Sequence, residues 1–296
     1  MKAALLPERG VVKVVGDGTR EFLNGLFTAD IGKVTPKSAA FAALLTPQGK
    51  IIVDCIVVQI PAEDGCGFFL DCPRALAKTL VDKLNFYKLR AKVLVEDLSG
   101  TLGVLAVWDG WESVRAATEY GLAYGDPRLP ALGARVMIPP HLAGETAADL
   151  GAELTDSTHY EVHRVALGIP RGGLDFMYND AFPHETDMDQ LNGVDFAKGC
   201  YVGQEVVSRM EHRGTARKRV VPVAYDGFAP EAGVPVTAGE KNIGTMGSSS
   251  GGRGLATLRL DRVADAQSAG QKLHAGGVEL RPLKPAWARF AFPGES

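Results

Sequence analysis

Cysteine is scarce in this 296-residue chain: Cys55, Cys66, Cys72 and Cys200 are the only four. None form a C-x-x-C pair, which excludes a disulfide framework and leaves a structural zinc site without supporting spacing. Each is by default a small buried hydrophobe, and only Cys200 has neighbours that ask for more. Long apolar runs are missing too. No stretch approaches the roughly 20 uninterrupted apolar residues that span a bilayer, so no membrane partner is expected. An excess of one charge is also absent. The formal net charge is −3, so no global field draws the chain to nucleic acid, and any anion site must be local. Met1 to Pro7 carries no long apolar stretch before Glu8 and Arg9. It lacks the Arg/Ser-rich look of a transit peptide, and the expectation is a cytoplasmic protein.

What is present is an ordinary globular balance, 46% apolar and 23% charged, enough for two or three modules of about 100–200 residues. Val11 to Val15 reads as a strand ending at the turn Gly16-Asp17-Gly18, after which Thr19 caps a short helix. Phe41 to Leu45 and Ile51 to Ile60 read as strands joined by the turn Thr46-Pro47-Gln48-Gly49. Leu76, Leu80 and Leu84 recur at helical spacing within 75–86. Further strands are expected over 68–70, 92–95, 101–107 and 131–138, and a helix over 160–166. From Arg217 onward, short strands (220–223, 234–236, 255–260, 278–280) alternate with glycine-rich turns, and no helical period is evident. That is the pattern of a small β-barrel. Gly247 to Gly254 reads as a mobile loop. The expected domains are 1–214 and 215–296.

Lys198-Gly199-Cys200-Tyr201-Val202-Gly203-Gln204-Glu205 is the densest chemical stretch. An amine, a thiol, a phenol, an amide and a carboxylate sit beside Val206-Val207, and such a set is costly to bury unless its groups pair with each other or with a ligand. Lys198 beside Cys200 would lower the thiol pKa. A capped loop with Lys198 and Glu205 as a surface pair stands as the alternative. His159 and His163 share a helix face, yet no third ligand is near, and no metal is assigned. Arg209, Arg213, Arg217, Lys218 and Arg219 crowd one stretch. They read as a solvated linker rather than an RNA or polyglutamate site, since no aromatic residues interleave.

Lys-Gly-Cys-Tyr-x-Gly-Gln-Glu at 198–205 resembles, letter for letter, the signature of the YgfZ/GcvT-like family. Phe22-Leu23-Asn24-Gly25 with Thr28-Ala29-Asp30, Leu44 to Lys50, Arg164…Gly168-Ile169-Pro170, Phe182 to Glu185, and Ile243 to Ser248 resemble its other motifs in order. The resemblance implies an α+β fold: a GcvT-like ring of N-terminal α+β modules around a central cavity, plus a C-terminal small β-barrel. It also implies tetrahydrofolate as ligand. The partners it implies are iron–sulfur assembly proteins or client iron–sulfur enzymes, including radical enzymes that modify tRNA. Cys200 and Lys198 are then the expected reactive residues. Asp54, Arg164, Glu185, Tyr201, Gln204 and Glu205 are the expected folate-contacting ones.

The aminomethyltransferase of glycine cleavage shares the fold, but two of its acidic positions are Val53 and Ala166 here. Losing a carboxylate that pairs with buried ring N–H donors costs about 1–3 kcal/mol, so glycine-cleavage activity is not expected. Two alternatives stay open: a folate-dependent one-carbon transferase or demethylase, and a non-catalytic protein-binding scaffold.

Overall fold

A computed structural model describes residues 1–61, 66–111, 117–118, 121–214 and 216–294. The chain forms two compact units that are discontinuous in sequence. One is Met1–Tyr160 with Leu191–Gln204, the other Glu161–Gln190 with Glu205–Ser296.

The first unit contains β1 (Lys2–Leu5), β2 (Arg9–Gly16), α1 (Thr19–Asn24), β3 (Ala40–Leu45), β4 (Ile51–Gln59), β5 (Gly67–Pro73), α2 (Ala77–Tyr87) and β6 (Val93–Asp97). It continues with β7 (Gly103–Trp108), β8 (Ala117–Thr118), β9 (Gly121–Gly125), β10 (Ala134–Ile138), α3 (Ala143–Asp149) and β11 (Glu153–Leu154). Five strands make an antiparallel sheet in the order β3-β4-β5-β2-β6, and six make a second in the order β11-β1-β7-β10-β9-β8.

The Ile-Ile-Val-Asp-Cys-Ile-Val-Val run of β4 is buried along its length, which explains its unbroken β-branched character. Leu80 and Leu84 of α2 join β2, β4 and β5 in one core. Thr19 is not the cap of α1. Gly18 is, in the left-handed region, while Thr19 Oγ1 donates to the Gly16 carbonyl at 2.6 Å.

A buried ionic net ties the two sheets of this unit together. Asp71 on β5 accepts from Arg9 Nε at 2.6 Å, from Arg135 Nη1 on β10 at 2.7 Å and from the Tyr124 hydroxyl on β9 at 2.9 Å. Arg135 Nε also reaches Asp126, 3.0 Å away, which grips Arg128 through both oxygens. The two arginines hold the Asp71 carboxyl below its ordinary range against the opposing effect of burial.

The chain enters the second unit along α4 (Ser157–Ala166), leaves it after Gln190 and enters it again along α5 (Gln204–Arg213). The second unit holds β12 (Lys218–Tyr225), β13 (Pro235–Ala238), β14 (Lys241–Ser250), β15 (Arg253–Arg259), α6 (Leu260–Ser268), β16 (Leu273–Ala275) and β17 (Val278–Pro282). These strands close into a barrel in the order β12-β15-β14-β13-β16-β17.

Three sequence expectations change here. The barrel unit does contain a helix: Leu260, Val263 and Ala266 of α6 recur every third residue and are buried in the barrel core. The Gly247–Gly254 run is no mobile loop. It belongs to β14 and β15, joined by Gly251-Gly252 at φ 59° and 76°, a two-residue hairpin of the kind that two positive φ values permit. The basic stretch is no linker either. Arg209 lies on α5 and pairs with Glu205, while Arg219 is buried on β12.

Candidate functional site

The signature loop is built from its anchors outward. Thr28 Oγ1 donates to the Gly193 carbonyl at 2.6 Å and accepts from the Ala43 N–H at 2.9 Å, so one buried hydroxyl joins the loop's approach to β3. The Asp195 N–H returns to the Thr28 carbonyl, and Asp195 Oδ1 accepts from the N–H groups of Ala197 and Lys198. Lys198 Nζ then donates to three main-chain carbonyls, Asn24 at 2.7 Å, Phe27 at 2.6 Å and Ala29 at 2.8 Å. An ammonium has three protons, and all three are engaged in closing the end of α1. The Lys198 amine also sits 5.1 Å from the centre of the Tyr201 ring, a cation–π geometry. Burial pulls Lys198 down to about 8, while the Asp30 and Asp195 charges pull the other way.

Downstream, the loop is pinned again. Tyr201 is buried, and burial pushes its hydroxyl up to about 12. Its N–H donates to Gln204 Oε1 at 3.3 Å, and the Gln204 N–H returns to the Tyr201 carbonyl. Val202 packs against the core of the five-stranded sheet. Gly203 has φ 82°, and a Cβ there would lie 2.5 Å from the Thr46 carbonyl and 3.2 Å from Gly49 Cα. Only glycine lets the loop press on the β3–β4 turn.

Between these anchors stand Gly199 and Cys200. A Cβ on Gly199 would meet nothing within 4 Å, and Cys200 is exposed. The arrangement presents a thiol at a tip fixed on both sides. Lys198, expected as a reactive partner, acts in this structure as the upstream clamp.

The other expected residues are placed as follows. Asp54 lies mid-strand on β4, 9% exposed, rather than at a solvent-facing strand end. Burial pushes the Cys55 and Cys72 thiols up, and the nearby Asp54 adds to that effect. Glu205 belongs to the second unit, in the exposed first turn of α5, and pairs with Arg209 rather than with Lys198.

Arg164 is 2% exposed in the second unit. It donates to Glu161 through Nε and Nη2, to Ile169 O and Asp175 through Nη1, and to Ser248 Oγ through Nη2. That is five bonds for the five N–H groups of a guanidinium, and none remains for a ligand. The Gly244-to-Ser248 motif thus has a structural use, since the Ser248 N–H also donates to Asp175 Oδ1 at 2.7 Å. Glu185 accepts from the Phe182 N–H at 3.0 Å and lines a cavity of 740 Å³.

Sequence reading missed the buried cluster around Arg219. Its guanidinium donates to Asp187 Oδ1 at 2.9 Å and to both oxygens of Asp189, and stacks 4.3 Å from the Phe290 ring centre. The spacing Asp187-x-Asp189, thirty residues before an arginine in a run of basic residues, gave no signal. His184, Asp189 and Glu211 bring ligand-type atoms within 4.8 Å of one another. Because the Arg219 guanidinium already occupies both Asp189 oxygens, a second cation there is disfavoured by charge.

Asp187 is fully buried at φ 61°, its Oδ2 has no hydrogen-bond partner among the described residues, and burial raises its carboxyl well above the usual range. The folded protein therefore holds this proton where the unfolded chain has lost it, at a pKa of about 3.9. Its contribution is full at low pH and falls as pH rises from about 4 toward the folded value. Asp187→Asn, an amide tolerant of left-handed backbone, is expected to flatten that slope in urea titrations run across pH 4–8. A slope unchanged by the substitution would assign it to another group.

The five-stranded antiparallel sheet, the six-stranded mixed sheet and the closed six-stranded barrel define a GcvT-like fold. The crystal structure of glycine cleavage system aminomethyltransferase T from Bartonella henselae matches over 98% of this chain and 87% of that one, with a TM-score of 0.74 and 16% identity. That likeness is one of fold. The family model for the CAF17 C-terminal beta-barrel domain matches residues 217–290.

Sequence relatives go further. The mitochondrial iron–sulfur cluster assembly factor IBA57 of Mus musculus is 32% identical, covering 87% of this chain and 77% of its own. The Pyricularia oryzae homolog is 33% identical, covering 88% and 72%. The Mycosarcoma maydis homolog is 35% identical over 76% of this chain, which spans 57% of that relative's length. The chain belongs to the YgfZ-like family of IBA57 iron–sulfur cluster assembly factors.

One expectation is overturned by these relatives. They are named as mitochondrial proteins, so the cytoplasmic reading does not stand. Composition and core pattern describe a fold that works in any aqueous compartment, and they carry no address.

Proposed function

We propose that the chain supports assembly or repair of iron–sulfur clusters, with Cys200 as the group that meets a cluster intermediate or a partner. The observation that carries this reading is the doubly pinned tip, in which an exposed thiol stands between the Lys198 clamp and the Gly203 contact. A pinned thiol loses less entropy when a cluster or partner binds it. The names of the relatives point the same way. The partners in this reading are iron–sulfur assembly proteins or client iron–sulfur enzymes, radical enzymes that modify tRNA among them.

The test is Cys200→Ser. It is expected to leave the melting temperature unchanged, because Cys200 is exposed, while abolishing the chain's support of a client enzyme's activity in cells lacking the wild-type gene. A Cys200→Ser variant that supports the client as well as wild type would remove the thiol from the function.

Tetrahydrofolate binding is the second part of the proposal. Its support is the resemblance of the motifs and the buried carboxylate of Asp54 on β4. Arg164, with every N–H engaged, is a framework residue in this reading rather than a contact. A ligand of the native state stabilises in proportion to the logarithm of its concentration, about 2.7 kcal/mol at a hundred times Kd. A saturable rise in melting temperature with tetrahydrofolate or folinic acid is expected, weakened in Asp54→Asn. No rise in the wild type would favour the scaffold reading. The one-carbon transferase reading has less support, since Val53 is fully buried in the apolar core of the five-stranded sheet.

A further inference from the structure

The 740 Å³ cavity of the second unit lies along β14, β15 and the segment Gly173–Glu185. Its size falls in the range of small-molecule sites, about 300–1,000 Å³. Its lining includes apolar Leu174, Phe176, Met177, Ile243 and Met246. It also takes cations from three elements: Lys218 from β12, Arg259 from β15 and Arg262 from α6.

That gathering is unfavourable for the fold by itself. Lys218 and Arg259 are register partners in the antiparallel ladder, so their side chains leave the sheet side by side, and like charges directly opposite are destabilising. Arg262 adds its charge in the first turn of α6, where the peptide dipoles disfavour a cation.

Asp175 and Asp180 also line the cavity, but Asp175 is taken by Arg164. Asp261 binds Arg259 through both oxygens, at 2.9 and 2.6 Å. Arg262 Nη1 donates to the Asn242 carbonyl at 2.7 Å. The Lys218 ammonium makes no hydrogen bond or ion pair among the described residues. Glu185, also in the lining, holds one oxygen on the Phe182 N–H and keeps acceptor capacity on the other.

We propose that this cavity binds a small aromatic anion, with its carboxylate or phosphate head on Lys218, Arg259 and Arg262 and its ring against Phe176, Met177 and Ile243. Charge-assisted hydrogen bonds fix the head, the apolar wall takes the body, and Glu185 accepts from any ring-borne N–H. The site lies in the barrel unit, owes nothing to Cys200, and stands whether or not the proposed folate binding does.

The experiment is calorimetry on the full chain with two probes, N-benzoyl-glutamate and phenyl phosphate, beside two controls, inorganic phosphate and benzamide. Both probes or either one should give saturable heats, and the tighter of the two identifies the preferred head. Lys218→Ala and Arg262→Ala, each at a partly or fully exposed position, should each weaken binding about tenfold, the equivalent of one charge-assisted bond. The proposal is overturned if neither probe gives saturable heat. It is equally overturned if inorganic phosphate binds as tightly as phenyl phosphate, or if the two variants bind like wild type.

Discussion

Asp71→Ala is expected to destabilise the protein by about 3–5 kcal/mol in chemical denaturation, the cost of leaving a buried charge without its partner. Asp71 is fully buried and accepts from Arg9, Arg135 and Tyr124. Removing it strands Arg135, itself 3% exposed, with Asp126 as its remaining counter-charge. Asp71→Asn should cost nearly as much, because an amide cannot accept both arginines as an ion. The net also predicts acid sensitivity. A carboxyl held below its ordinary value contributes fully above about pH 4 and loses that contribution as pH falls through the folded pKa. The variants should therefore unfold with a shallower acid limb than wild type. A loss under about 1 kcal/mol would mean that solvent or neighbouring backbone satisfies the arginines without Asp71.

Arg164→Ala is the second large effect, again about 3–5 kcal/mol. It leaves Asp175, 4% exposed, without its cation, and leaves Ser248 Oγ and the Ile169 carbonyl without their donor. Arg164→Lys is expected to recover only a minor share, since three donors on one nitrogen cannot reproduce the guanidinium fork. Glu161→Gln serves as the control. Glu161 is a quarter exposed, and pairs of that kind contribute about 0–1 kcal/mol. If Arg164→Lys matched wild type in stability, the five-bond description would be wrong.

Much of the fold was legible where a single physical signal controls the outcome. β4 announced itself by β-branched residues, the β3–β4 turn by Pro47 and Gly49, and α2 by the spacing of Leu80 and Leu84. Less visible was α6, because Leu260 to Ser268 follows a strand without a break and its apolar residues repeat over only three turns. The glycine and serine run at 247–254 looked like a loop because composition carries no sign of φ. Its serines are held by distant partners, Asp175 for the Ser248 N–H and Pro230 for the Ser249 hydroxyl.

The site divides in the same way. The signature pointed to one loop, and the assignment of roles within it depends on where each proton goes. Lys198 read as a modulator of the adjacent thiol, and only the three carbonyls of residues 24–29 show it as a clamp. Arg164 and Ser248 stood 84 residues apart as separate motifs, and only the fold makes them one knot. Pairings over such separations have no local period to reveal them.

The Lys198 clamp has one more consequence. Its acceptors are main-chain oxygens, which every amino acid supplies. Asn24, Phe27 and Ala29 can each be exchanged without removing the atom that Lys198 grips, provided the backbone path persists. Substitutions at those three positions leave the clamp's acceptors in place, whereas a change at residue 198 removes the clamp itself. The clamp thus depends on a single side chain, while the acceptors it grips are as durable as the polypeptide itself.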